Sequence, residues 1–210
     1  MEDGIIILGA GGHGVVLLDA LMECQQKILG FVDPNKDLHG KTIMGYKVLG
    51  DDSILESYDS SKVGLVNGVG STHEMSLRKS IFVKFKGLGY HFATIVHPSA
   101  IISKSVKLAE GVQVLAGCVI QVNASIGENT IINTKTSVDH DCVIGSHIHL
   151  APGVTVSGNV TIKESVHVGT GACIIQDINI GSKCLIGAGS VVIKDVNDGA
   201  KYLSIGQSLS

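Results

Sequence analysis

The chain has 210 residues, 44% hydrophobic and only 4% aromatic, with 27 glycines, no tryptophan and a net charge of −3, enough for two modest cores. No Lys/Arg block supplies the basic footprint of a protein that binds nucleic acid or an anionic membrane, so neither is expected as a partner. No apolar run approaches transmembrane length, and Met1-Glu2-Asp3 leads straight into a strand without a signal-peptide pattern, so a cytoplasmic protein is expected.

In chain order, Gly4 to Leu8 reads as a short buried strand, followed by Gly9-Ala10-Gly11-Gly12-His13-Gly14 and an apolar helix to about Gln26. Strand, glycine turn and helix match G-x-G-x-x-G, in which glycines permit a tight turn and close approach of a phosphate while the helix N-terminus favours negative charge. Ile28 to Val32 is a second strand, ending at Asp33, nineteen residues after Gly14. Its carboxylate is placed to meet a ribose or a base, or else Asp33 only forms the turn before Pro34. A short strand at Lys47 to Leu49 follows, then a short helix capped by Asp51-Asp52 and running through Tyr58, and a strand from Val63 to Asn67. Gly68 and Gly70 precede Ser71-Thr72-His73-Glu74, a capping box for a helix with Met75, Ile81, Phe82 and Phe85 inward, stopped by Gly87 and Gly89. His91 to Ile95 is expected as the last strand of this half, with the hand-over at His97-Pro98.

From Val96 to Val192 every sixth residue is aliphatic without a miss. Four residues after each comes a small or β-branched residue, from Ala100 to Val196. Both sets should point inward. A period of six fits neither a helix nor simple alternation, and marks a hexapeptide parallel β-helix with three hexapeptides per triangular coil. Residues eighteen apart should then stack. Cys118, Cys142 and Cys184 fall on the inward small position, Cys24 lies in the first helix and Cys173 fits neither setting. All five are expected to be reduced, chiefly as packing residues. The expected architecture is a Rossmann-like α/β domain over residues 1–95 and a β-helix over 96–210.

His140 lies two places past inward Val138 and should face outward, flanked by Asp139 and Asp141. A carboxylate beside an imidazole raises its basicity and fixes its tautomer, which suits a general base; ordinary surface polarity is the alternative. Gly158 lies eighteen residues on, in the same column. It either leaves room for an acyl group beside the base, with its N–H available to an oxyanion, or merely eases the bend at Ser157-Gly158-Asn159. His149 and His167 are also eighteen apart, whereas His147 reads as a surface residue.

A GAGGHG domain joined to a hexapeptide β-helix that contains Asn133-Thr134, Asp139-His140-Asp141-Cys142-Val143-Ile144-Gly145 and His149 resembles the bacterial sugar acyltransferases. Among them it is most similar to the PglD-type nucleotide-sugar N-acetyltransferases and the NeuD sialic acid O-acetyltransferases. The resemblance covers nearly the whole chain and implies a left-handed coil, a homotrimer with sites between neighbouring β-helices, acetyl-CoA as co-substrate and no metal. It makes His140 the base and Asp141 its acidic partner. It places acetyl-CoA against His149, Gly158, Thr170 and Ala188. The nucleotide sugar falls to the first domain, with Gly11, Gly12 and His13 near the diphosphate, Asp33 at the base or ribose and Gly70 at the substrate's edge. One departure is the end, Gly206-Gln207-Ser208-Leu209-Ser210, in place of a Gly-x-Pro-Ala-Lys-like tail.

The expected activity is therefore acetyl transfer to an amino group on a nucleotide-linked sugar, most readily a 4-amino-4,6-dideoxy sugar destined for a surface glycan. Sialate O-acetylation is the alternative, ahead of a non-catalytic nucleotide-sugar binder. A zinc hydratase on the same solenoid would need a histidine about two coils before a close pair, and none precedes His147 or His149. A nicotinamide enzyme would need a larger domain than this.

Overall fold

The computed structural model describes residues 4–71 and 75–203. Strand β1 (Gly4–Leu8) lies at the centre of a six-stranded sheet ordered β3-β4-β2-β1-β5-β6, with β2 at Ile28–Val32, β3 at Thr42–Ile43, β4 at Tyr46–Gly50, β5 at Val63–Asn67 and β6 at His91–Phe92. All pairings are parallel except the β3–β4 hairpin. Because both faces of β1 are covered, its Ile-Ile-Ile-Leu run is apolar without alternation. Ile5 and Ile7 pack with Leu17, Leu18 and Leu21 of helix α1 (Gly12–Glu23), while Ile6 and Leu8 pack with Phe82 and Phe85 of helix α2 (Ser76–Gly87). Two glycines allow this closeness: a Cβ on Gly14 would run into the Gly9 carbonyl, and one on Gly68 would lie 2.6 Å from the same oxygen.

Several boundaries differ from the sequence reading. Helix α1 ends at Glu23, because Gln25 takes a left-handed turn (φ 55°) that stops it before Gln26. Residues 52–57 form a 3-10 helix, capped by the Asp51 carboxylate, which accepts from the Ser53 N–H at 3.0 Å. The Ser71-Thr72-His73-Glu74 box lies, Ser71 apart, outside the described residues. The expected strand from His91 to Ile95 is two: β6 stays in the α/β sheet, while Ile95–Val96 pairs with Gln113–Val114 and is already the first rung of the solenoid.

In the solenoid each hexapeptide contributes a two-residue strand, paired in parallel with the strand eighteen residues on, as in Val119–Ile120 with Ser137–Val138. Three faces result, here called first (Ile95–Val96 onward), second (Ile101–Ile102 onward) and third (Lys107–Leu108 onward). Every repeat position from Val114 to Val192 is buried, as is every compact one from Val112 to Val196. Val96, expected inward, is 36% exposed, and Ile102 and Leu108 are only partly buried, because the first coil has a neighbour on one side alone. The last turn is two residues short, with Leu185 opposite Lys201.

The corners show a second period of six. From Gly111 to Gly189, the residue just before each compact inward one has positive φ, about 54° to 71°. Glycine, Asn and Asp hold most of these positions, as expected where a Cβ must tolerate the left-handed region. Asn123, Asp141, Asn159 and Asp177 form one such column.

The α/β unit docks on the first face and on the corner leading into it. Asn67, Arg78, Gln113, Asn129 and His147 are all buried there. Arg78 donates to the carbonyls of Asn67 (2.7 Å), Val69 (2.8 Å) and Asn129 (3.2 Å), and burial lowers its pKa to about 9. His147, read from sequence as a surface residue, is instead 7% exposed, hydrogen-bonded to Asn129 at 3.0 Å and edge-on to Phe82. An outward position on the solenoid becomes interior once a domain lies over it.

Candidate active site

The corner between the second and third faces carries His140, more than half exposed. Asp141, the left-handed corner residue, turns the chain so that His140 projects while Cys142 points in. The His140 ring Nδ1 lies 2.8 Å from Asp141 Oδ2, and Asp141 Oδ1 accepts from Asn123 Nδ2 at 3.0 Å, one coil before. The Asp141 carboxylate, its pKa lowered by the Asn123 and His140 hydrogen bonds, only accepts, so Nδ1 bears the hydrogen and Nε2 offers the lone pair. The His140 pKa is raised above its ordinary 6.5, first by the hydrogen bond to Asp141 and then by the charges of Asp139 and others nearby.

Gly158 stacks beside this ring. A Cβ there would lie 2.6 Å from both Cε1 and Nε2 of His140, so the room left by the missing side chain is taken by the imidazole itself. The sequence reading had given that room to an acyl group. The backbone supports the stack through Asn159 N–H to the His140 carbonyl at 2.9 Å. The Gly158 N–H donates to no group among the described residues.

A cavity of about 490 Å³ opens at the carboxyl edge of the α/β sheet, where the segments after β1, β2, β4 and β5 converge. Gly11, Gly12, His13, Asp33 and Gly70 all line it. A Cβ on Gly11 or Gly12 would meet nothing within 4 Å, so packing does not require glycine at either position. Asp33 accepts from the N–H of Ala10 and of Asn35, both at 2.8 Å, and so ties the glycine turn to β2. His13 lies 2.9 Å from Gln113 Oε1. Because Gln113 Nε2 donates to the Asn67 carbonyl, Oε1 must accept, and His13 carries its hydrogen on Nε2. Burial, then the Arg78 charge, lowers the His13 pKa to about 4, so the ring is neutral near pH 7.

His149 and His167 stack edge-to-face on the first face, 5.1 Å between centroids, and both are buried. The Ser71 hydroxyl lies 3.1 and 3.2 Å from their Nδ1 atoms, and Asn133 Nδ2 is 3.0 Å from His149 Nε2. Burial, then the neighbouring His167, pushes His149 down to about 3. Thr170 and Ala188 sit exposed at the corner between the first and second faces, stacked through Gly189 N–H to the Thr170 carbonyl at 2.8 Å. The expected residues thus fall into separate groups within one chain: His140, Asp141 and Gly158 occupy the corner opposite the first face, while the cavity and His149 adjoin that face.

The sequence reading missed Asn123, although its place eighteen residues before Asp141 was available as a signal. It also missed Gln113, Asn67 and Arg78, whose role depends on docking that no spacing reveals. The atypical tail, residues 206–210, lies outside the described residues. Among the described residues no His, Cys, Asp and Glu grouping could hold a metal ion, the cysteines are free, and no helix is long and apolar enough to cross a membrane.

Comparison with known proteins places these features. The PglD N-terminal domain family matches residues 4–85. The chain is 30% identical over 160 residues to GDP-perosamine N-acetyltransferase of Escherichia coli O157:H7, covering 73% of this chain and 70% of that protein. A solved GDP-perosamine N-acetyltransferase of Caulobacter crescentus, a histidine-to-alanine variant in complex with CoA and GDP-perosamine, superposes with a TM-score of 0.88 at 33% identity, over 97% of this chain and 94% of that one. The acetyltransferase domain of PglB from Neisseria gonorrhoeae FA1090, in complex with acetyl coenzyme A, gives 0.88 at 30% identity over 97% of each chain. The fold is accordingly an α/β unit followed by a left-handed parallel β-helix, against the usual right-handed crossover. The chain belongs to the PglD/NeuD-type family of acetyl-CoA-dependent sugar acyltransferases.

Proposed function

We propose that this protein transfers the acetyl group of acetyl-CoA to the amine of a nucleotide-linked amino sugar, a 4-amino-4,6-dideoxy sugar used in surface glycan assembly in the cytoplasm. The observation that carries this reading is the His140–Asp141 pair, fixed by Asn123 and seated on Gly158. Nε2 of His140 takes a proton from the amine as its nitrogen attacks the thioester carbon. The Gly158 N–H, without an acceptor among the described residues, is the donor offered to the oxyanion. The attack forms the C–N bond and a tetrahedral oxyanion; its collapse restores the carbonyl and breaks the C–S bond, and the proton on His140 passes to the departing CoA thiolate. The relatives bound to CoA and GDP-perosamine support both the donor and the class of acceptor.

In this reading the nucleotide occupies the α/β cavity, its diphosphate over Gly11 and Gly12, where the first N–H groups of α1 are unused and no side chain intrudes. His13, held neutral, contributes hydrogen bonding rather than charge. Gly70 borders the sugar, and Asp33 shapes the turn and reaches the ribose. Acetyl-CoA runs along Thr170 and Ala188 toward His149. Since the cavity and His140 lie on opposite sides of one coil, the reading requires that a second copy complete each site, as a homotrimer would.

The test is turnover: acetyl-CoA with GDP-, UDP-, dTDP- and CMP-linked amino sugars, followed by CoA thiol release and by mass spectrometry of the sugar. One N-acetylated nucleotide sugar supports the reading; acetylation only of hydroxyls, or no turnover with any amino sugar, overturns it. Asp33→Ala should weaken nucleotide-sugar binding about 10-fold by loosening the glycine turn, with acetyl-CoA binding unchanged, as calorimetry would show. Asn123→Gly tests support of the base, because Gly keeps the left-handed corner that Ala would strain. A loss of about 5- to 10-fold in kcat is expected, roughly one ordinary net hydrogen bond because Asp141 is half exposed, with KM for acetyl-CoA unchanged.

A further inference from the structure

The lining of the α/β cavity combines two chemistries. Gly11 and Gly12 face open space at the start of α1. Leu77, Ile81 and Phe85, four residues apart along α2, make an apolar rail, and Val32 and Pro34 also line the cavity. Asp52, just past the end of β4, brings a carboxylate to the lining and is tied to α2 through Lys84, the neighbour of Phe85. Its Oδ2 is held by Lys84 Nζ at 2.6 Å, and Oδ1 accepts no hydrogen bond among the described residues. Asp33, the other carboxylate of the lining, already receives two backbone N–H groups.

An ionised carboxylate only accepts hydrogen bonds and repels a diphosphate, so it sets the direction of a nucleotide here: phosphates toward Gly11 and Gly12, base toward Asp52. An apolar slot suits a flat ring, and the carboxylate selects the ring edge. Guanine presents N1–H and its 2-amino group side by side, matching both oxygens of a carboxylate. Uracil and thymine present one N–H between two carbonyl oxygens that a carboxylate repels. Cytosine and adenine set their amino group beside a bare ring nitrogen. We propose that Asp52, positioned by Lys84, is the residue that selects the base, and that it selects guanine, making the acceptor a guanosine-diphosphate sugar. This rests on the reading above that the cavity holds the nucleotide.

The experiment is calorimetry on the full chain with GDP, inosine diphosphate, which lacks only the 2-amino group, and UDP, using the wild type and Asp52→Asn. The wild type should bind GDP about 10- to 100-fold more tightly than UDP and about 10-fold more tightly than inosine diphosphate, the range of one bidentate base contact. Asp52→Asn should lose most of that preference by weakening GDP, leaving UDP nearly unchanged and acetyl-CoA binding intact. Equal weakening of all three nucleotides, unchanged GDP affinity in the variant, or a wild-type preference for UDP overturns the role of Asp52 while leaving the cavity a nucleotide site. Absence of binding by any of the three to the wild type overturns the nucleotide reading as well. Lys84→Met, which frees Asp52 without removing it, should weaken GDP less than Asp52→Asn does; a larger loss would assign the selection to Lys84.

Discussion

His140→Ala is expected to lower kcat by about 10²- to 10⁴-fold with acetyl-CoA affinity little changed, because a general base acts mainly in the transition state. The side chain is exposed and, among the described residues, its ring hydrogen-bonds only to Asp141, so the fold should survive its removal. The pH profile carries the mechanism further. Neutral imidazole is the active form, and the folded environment raises its pKa above 6.5, so activity should climb with pH along a limb centred above that value. Asp141→Asn removes the leading cause of the rise. The limb should move to lower pH, and the plateau rate should fall because a weaker base accepts the proton less readily. Asn is well tolerated at the positive φ of that corner, so this variant separates electrostatics from folding. Steady-state kinetics across pH, with acetyl-CoA binding measured separately, decides the matter. A near-normal kcat in His140→Ala with the best amino sugar sinks the proposed base, and a limb that stays in place in Asp141→Asn sinks the assigned partner.

How much of this was legible in the sequence depends on where the determining contacts lie. The solenoid was readable because its packing is periodic: residues eighteen apart repeat one environment, so the aliphatic register from Val114 onward and the stacking of His140 over Gly158 follow from counting. The GAGGHG turn was readable for a related reason, since its tight approach to the sheet is local and only glycine fits at Gly14. The corner conformation left a compositional trace in Asn123, Asp141, Asn159 and Asp177, but φ has no direct signature in hydropathy. What spacing could not show is the docking surface. Gln113, Asn129 and His147 occupy outward positions of the repeat and are polar, as a solvated face would be. Asn129 and His147 are covered by Arg78 and Phe82 of α2, and Gln113 by His13 and Asn67, contacts between residues far apart in the chain. His149 is a similar case: its stacking with His167 followed from the period, whereas its tie to Ser71 depends on the same docking.

Gly158→Ala is expected to cut kcat by about 10²-fold while leaving acetyl-CoA binding and thermal stability close to normal. The added methyl group would lie 2.6 Å from the His140 ring, and the ring is the nearest obstacle, so an exposed side chain moves and the backbone does not. Gly158 has no positive φ, so alanine adds no conformational strain. Alanine also keeps the backbone N–H, so any hydrogen bond to the oxyanion survives and the loss reports the displaced base alone. This leads to a non-additive outcome: once His140 has been replaced by alanine, Gly158→Ala should cost little more, because the group it acts through is gone. Gly158→Leu should differ in kind, adding a rise in KM for acetyl-CoA as the longer side chain reaches past the ring into the path of the donor. Independent, multiplicative losses in the double variant would mean that Gly158 acts on the acyl group directly, and an unchanged kcat in a folded Gly158→Ala protein would refute the close packing of His140 on this glycine.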